Sequence, residues 1–161
     1  MASYPPPVLD GIRILQFAIV GPPVQFTGRL RLNVGGQWLG AVPRLAVGRD
    51  LATNELVLLH CDAHWTALGV QAWNDSSDVS AQSAEDVMKR AEGYYAGLMP
   101  HWRVHPATEV EALEYQAEKD AELTCSFCGQ LAESRLLEKG SAKICARCVE
   151  KFHEEIHGGR G

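Results

Sequence analysis

Polar and apolar residues alternate with a period of two through much of the first 73 positions, and the period lengthens toward 3.6 after position 83. Ile12 to Val20 is apolar and β-branched enough for a strand, which Gly21-Pro22-Pro23 ends. Leu30, Leu32 and Val34 alternate with Arg29, Arg31 and Asn33, and Gly35-Gly36 supplies a two-residue turn into Gln37 to Val42. That hairpin sets Val34 opposite Gln37, Leu32 opposite Leu39 and Leu30 opposite Ala41. Its other face carries Arg29, Arg31 and Trp38. Leu56 to Leu59 reads as a central strand, Trp65 to Trp73 as a further one, and Asn74 to Asp78 as a loop. The first ten residues, with Pro5, Pro6 and Pro7, read as a loose tail.

Helical spacing begins after Ser83, which stands three residues before Asp86 in a capping pattern. Val87, Ala91, Tyr94, Tyr95 and Leu98 share one face of this helix, and Pro100 limits it. Thr108 and Glu111 repeat the cap before a second helical stretch, where Val110, Leu113, Ala117 and Ala121 recur on one side. Between 109 and 123, six acidic residues and Lys119 together carry -5, the charge of the whole chain. The order predicts an α+β protein: an antiparallel sheet with one packed helix over 1–108, an acidic helical connector over 109–123, and a separate module over 124–161.

Composition refines this picture only slightly. With 46% hydrophobic and 22% charged residues the chain has the makings of a packed core, not of a disordered segment. The net charge of -5 gives no general attraction to phosphate, which argues against nucleic acid and leaves only a local basic patch open. No run approaches the roughly 18 apolar residues needed to span a bilayer, and the start lacks a basic region followed by an apolar one. A cytoplasmic setting is therefore expected, in which paired Cys-x-x-Cys motifs bind metal and do not form disulfides.

Cys125-Ser-Phe-Cys128 is followed by sixteen residues and then by Cys145-Ala-Arg-Cys148, a spacing that fits paired zinc knuckles. Four thiolates from two knuckles close a tetrahedron around one structural zinc ion. Gly129 permits the left-handed backbone that such a knuckle requires. Ser134 to Leu137 and Ala142 to Ile144 flank a turn at 138–141, predicting a small hairpin. Val149, Phe152 and Ile156 at i, i+3 and i+7 then predict a helix growing from the second knuckle, its positive end toward the thiolates. Hairpin and helix together describe a treble-clef-like module.

Cys-Ser-Phe-Cys-Gly at 125–129 and Ile-Cys-Ala-Arg-Cys-Val-Glu at 144–150 resemble the ClpX-type zinc-binding domain, over about residues 123–157. In that family the module lies at the N-terminus of an unfoldase ATPase, dimerises, and recruits adaptors and substrates. The resemblance implies zinc binding by Cys125, Cys128, Cys145 and Cys148, and self-association or protein binding through the module. No Gly-x-x-x-x-Gly-Lys-Ser/Thr loop occurs in this chain, so ATPase activity is not expected.

Other constellations compete for a role. His153-Glu154-Glu155-Ile156-His157 matches the His-Glu-x-x-His signature of zinc proteases, but its helix already belongs to the knuckle module and reads as a solvated face. His60, Cys61 and His64, with Asp62 among them, offer a second metal site or a nucleophile with its base; the plainer reading is a packed, inert thiol in a turn. His101 and His105 are bracketed by Pro100 and Pro106. Arg29, Arg31 and Trp38, extended by Arg44 and Arg49, form a candidate surface for single-stranded nucleic acid. Trp65, Trp73 and Trp102 read as core or its edge. The function expected is that of a non-enzymatic bacterial protein, an adaptor, regulator or immunity-type protein, joining a recognition domain to a zinc module that contacts a protein partner or forms a homodimer. The alternatives are a nucleic-acid-binding regulator using the zinc ribbon and a metal-dependent hydrolase.

Overall fold

The computed structural model describes residues 4–73, 81–132 and 136–158. In chain order the elements are β1 (Val8–Leu9), β2 (Ile12–Ile19), β3 (Gln25–Phe26), β4 (Asn33–Val34), β5 (Gln37–Trp38), β6 (Arg44–Asp50), β7 (Leu56–Cys61) and β8 (Ala67–Ala72). They continue with α1 (Ala84–Tyr94), β9 (Tyr95–Ala96), a 3-10 turn at Met99–His101, β10 (Arg103–Val104) and α2 (Glu109–Leu123). The hairpin β11 (Leu137–Lys139) and β12 (Ala142–Ile144) and the helix α3 (Ala146–His157) complete the chain. Two compact units result, residues 1–112 and 113–161. The protein is thus a mixed α+β molecule, with an antiparallel sheet, three α-helices among the described residues and a C-terminal cluster of four cysteines.

The main sheet of the first unit runs β1-β2-β6-β7-β8, with β10 also paired to β2 and every pairing antiparallel. Strand β7, flanked by β6 and β8, is buried at all six positions. Side chains of a strand alternate between faces, so Leu56 and Leu58 meet α1 on one side while Val57, Leu59 and Cys61 enter a second core on the other. On the helical side Val87 and Ala91 of α1 pack with Leu45, Val47, Tyr95 and Leu98. The buried Tyr95 hydroxyl accepts the Val42 N–H at 2.9 Å, so its burial leaves no unpaired amide at that point.

Local signals are realised closely. Ser83 Oγ accepts the Asp86 N–H at 3.2 Å and Asp86 returns the contact to Ser83 N, closing a capping box. The Gly35-Gly36 turn pairs Val34 with Gln37 as expected, and Leu39 N donates to Leu32 O. Leu32, Val34 and Leu39 crowd the space above Gly69 of β8, so the apolar face of the hairpin covers that strand.

Several expectations require correction. The sequence pattern does not mark strand β6 between β2 and β7, although Leu45-Ala46-Val47 is a short apolar run; its pairing on both edges decides it. The N-terminal segment is not a loose tail: Val8–Leu9 pairs with β2, and Pro5 O accepts a hydrogen bond from His105 Nε2 at 2.9 Å. The first helix stops at Tyr94, and Tyr95 pairs with Phe26 in a short strand. In α2 the expected apolar stripe is not a buried one, since Val110 and Leu113 are exposed and Ala112 is the buried residue. The first strand of the module hairpin begins at Leu137, later than expected, and the loop expected at Asn74–Asp78 lies outside the described residues, as does part of the segment expected at Ser134 to Leu137.

Gly48 of β6 shows how tightly β2 and β6 are joined. A β-carbon there would fall 2.6 Å from the Arg13 carbonyl oxygen and against the Ile12 side chain. Since backbone cannot yield as a side-chain tip does, Gly48→Ala is expected to destabilise the first unit by about 1–3 kcal/mol. Chemical denaturation of the variant beside the parent chain measures this, and an unchanged midpoint would contradict the account.

Candidate metal centre

The second unit assembles its site from two backbone turns. At the first, Gly129 adopts φ +67° and donates its N–H to Cys125 O at 3.0 Å, folding the chain so that Cys125 and Cys128 converge. Thr124 bridges Leu131 just outside it. Ser126 N donates to Lys143 O, and Lys143 N returns a bond to Ser126 Oγ, tying this turn to β12. At the second, Cys145 is the N-cap of α3 and Cys148 lies in its first turn, where free amides and the helix dipole favour negative sulfur.

The four Sγ atoms all lie within 4.8 Å of one another. Cys125 and Cys148 are 3.8 Å apart, and Cys128 and Cys145 3.9 Å. Sulfurs bound at about 2.3 Å to one tetrahedral ion stand about 3.8 Å apart, so the spacing fits a metal ion and is far too long for a disulfide. Cys125, Cys145 and Cys148 are buried, Cys128 is half-buried, and Leu136 is the remaining buried core residue, with Ala132, Ile144 and Phe152 at its margin.

Electrostatics prepare the site unevenly. The backbone N–H of Cys128, followed by those of Cys145 and Phe127, pulls the Cys125 thiol down to about 6. The Gln130 amide likewise lowers Cys128. Burial pushes Cys148 up to about 12, and its neighbouring thiols add to the rise. Anionic sulfur is therefore favoured at Cys125, and a cation entering the tetrad must displace protons from the other corners. Arg147 is raised by its hydrogen bond to Cys128 and by the surrounding thiolates, so its positive charge offsets part of theirs.

The other candidate residues do not converge. His60 and Cys61 are neighbours in a strand and so face opposite sides of the sheet. His60 is fully buried and shares a hydrogen bond with Gln71 Oε1 at 2.9 Å. Cys61 is pushed up to about 12, first by burial and then by Asp62, which makes it a poor nucleophile. His64 sits exposed in the following turn. His153 and His157 stack on exposed α3, their rings 4.5 Å apart. His105 is buried against Pro5, while His101 is exposed. Of the basic patch, Arg31 bonds the Gly28 and Leu30 carbonyls, Arg49 the Asn54 carbonyl, and Arg44 covers Trp65 instead of Trp38. Among the described residues, the cysteine tetrad is the one cluster of three or more metal-ligating side chains, and no helix is long and apolar enough to cross a membrane.

The molecule is thus an α+β unit followed by a unit whose four cysteines can hold a metal ion. No protein-family model matches the chain, and neither does any curated protein or solved structure. The likeness to the ClpX-type domain accordingly rests on the two knuckles alone.

Two measurements follow from this geometry. Metal analysis of the purified chain should give one ion per chain, lost in Cys145→Ser and retained in His153→Ala, because four sulfurs fill a tetrahedral site. A stoichiometry near two would contradict the single site. Burial lowers the pKa of His60 from 6.5, so the folded chain holds it neutral while the unfolded chain binds a proton below that pH. Stability of the first unit is retained above about pH 6.5 and falls as the pH drops beneath it. Denaturation at about pH 7.5 and about pH 5.5 should show a smaller loss in His60→Gln than in the parent chain.

Proposed function

We propose that the tetrad holds one structural zinc ion and that the zinc-built unit is a protein-contact module, serving self-association or the capture of a partner, without catalysis. The single observation that carries the reading is the closed set of four sulfurs, which leaves an ion no open position for water or substrate. Thiolate ligands in tetrahedral array suit zinc, and oxygen-seeking cations such as magnesium or calcium do not. Structural zinc contributes about 10 to 16 kcal/mol of apparent binding free energy in small modules, and that is also folding free energy.

Support for a contact role comes from the surface of the same unit. Phe127, Leu131, Leu137 and Ile156 are each more than half exposed, although Phe127 also packs edge-on against Phe152 with ring centroids 5.4 Å apart. A unit this small lacks the interior to bury them, and a partner surface would. A role as adaptor, regulator or immunity-type protein is consistent with this pairing of a folded domain and a sticky module. Zinc supplies the scaffold in each case.

Sedimentation of the full chain with and without a chelator tests the self-association arm. A zinc-loaded dimer that falls apart when metal is withdrawn is expected. A zinc-loaded chain that stays monomeric at high micromolar concentration would overturn the homodimer.

A further inference from the structure

The first unit carries a second built feature, remote in kind from the cysteine tetrad. Between β7 and β8, Asp62 Oδ1 accepts the backbone N–H groups of both His64 and Thr66, at 2.8 and 2.9 Å. Asp62 N donates to Thr66 O, and Trp65 N to Asp62 O, so the turn is cross-braced by one carboxylate and its own backbone. The brace holds Trp65 at φ +62°, a left-handed conformation that a bulky aromatic residue rarely adopts. Its indole is 4% exposed, packs edge-on against Phe17 at 5.7 Å, and keeps Nε1 buried without a hydrogen-bond partner. Strain and an orphaned donor at one residue mark a position kept for something other than stability.

What the strained turn creates is a cavity of about 510 Å³, walled by Tyr4, Pro5, Pro6, Arg44, His64 and Trp65. That volume lies within the range of small-molecule sites. The guanidinium of Arg44 lies 4.9 Å from the Trp65 ring centroid, and Arg44 makes no ion pair among the described residues. A guanidinium carries paired N–H groups along its edge that match a carboxylate. The opposite wall is fixed as well. Ala107 N donates to His105 Nδ1, which leaves Nε2 as the donor to Pro5 O, and Pro7 O accepts from Ile14 N. Tyr4 lies edge-on to Phe17 at 5.4 Å.

We propose that this cavity binds a small monovalent organic anion with a flat apolar body, an aromatic carboxylate, its carboxylate on Arg44 and its ring between Tyr4, the two prolines and Trp65. A single guanidinium at the cavity, in a chain of net charge -5, suits a single negative charge better than a phosphate dianion. His64 adds an imidazole that can donate or accept at the rim.

Sodium benzoate titrated into the ¹⁵N-labelled full chain tests this, with the Trp65 indole N–H signal as reporter and benzamide and inorganic phosphate as comparison probes. Benzoate should shift that signal saturably and leave the Trp38 indole signal in place. Benzamide, the uncharged analogue, should bind about ten-fold or more weakly, as should benzoate to Arg44→Gln. Arg44→Lys keeps the charge without the fork, and should weaken benzoate while leaving benzamide unchanged. Equal affinity for benzoate and benzamide, tighter binding of phosphate, a shift that never saturates, or undiminished benzoate binding in both Arg44 variants would each overturn the proposal.

Discussion

Sulfurs held 3.8 to 4.8 Å apart cannot all be negative unless a cation stands among them. That constraint organises the whole second unit. Among the described residues its interior is the cysteine cluster and Leu136, with Ala132, Ile144 and Phe152 partly buried against it, too few apolar groups to offset the entropy of ordering nearly fifty residues. The backbone contributes by aiming amides at Cys125 and Cys128, which favours anionic sulfur there before a metal arrives, while burial keeps Cys148 protonated until a cation displaces its proton. Exposure of Phe127, Leu137 and Ile156 is a consequence of the same scarcity, since so small an interior has no depth in which to hide them.

The first unit solves its stability in the ordinary way, with a strand buried on both faces. Each side of β7 has its own cover: α1 and the β4–β5 hairpin on one, the aromatic cluster of Tyr4, Phe17, Trp65 and His105 on the other. This arrangement explains why the His60-Cys61 pair is not a site. One-residue spacing in a strand separates side chains across the sheet as surely as distance would. It also leaves His60 buried and neutral, its Nε2 sharing a hydrogen bond with Gln71 Oε1.

Legibility in the sequence followed the range of the interaction. The cysteine spacing, the Gly35-Gly36 turn, the Ser83 cap and the Thr108–Glu111 cap are each encoded within a few residues, and each is realised. Where partners far along the chain decide the outcome, the local pattern was silent or misleading. Arg44–Asp50 becomes a strand because β2 and β7 receive it on both sides, and a glycine in its middle weakens the local signal. Prolines at 5 to 7 suggested a free tail, yet a histidine one hundred residues later fixes the segment. The left-handed Trp65 had no signal in composition at all, because the Asp62 brace and not the tryptophan's own preference produces it.

The claim on which the functional account rests is that a single ion is held by sulfur alone. X-ray absorption at the zinc edge of the purified chain addresses it without reference to any partner. Four sulfur scatterers at about 2.3 Å, with no nitrogen or oxygen in the first shell, are the predicted result. A shell containing imidazole nitrogen or water oxygen would contradict it, and would turn attention to His153 and His157 as ligands of an open, reactive centre.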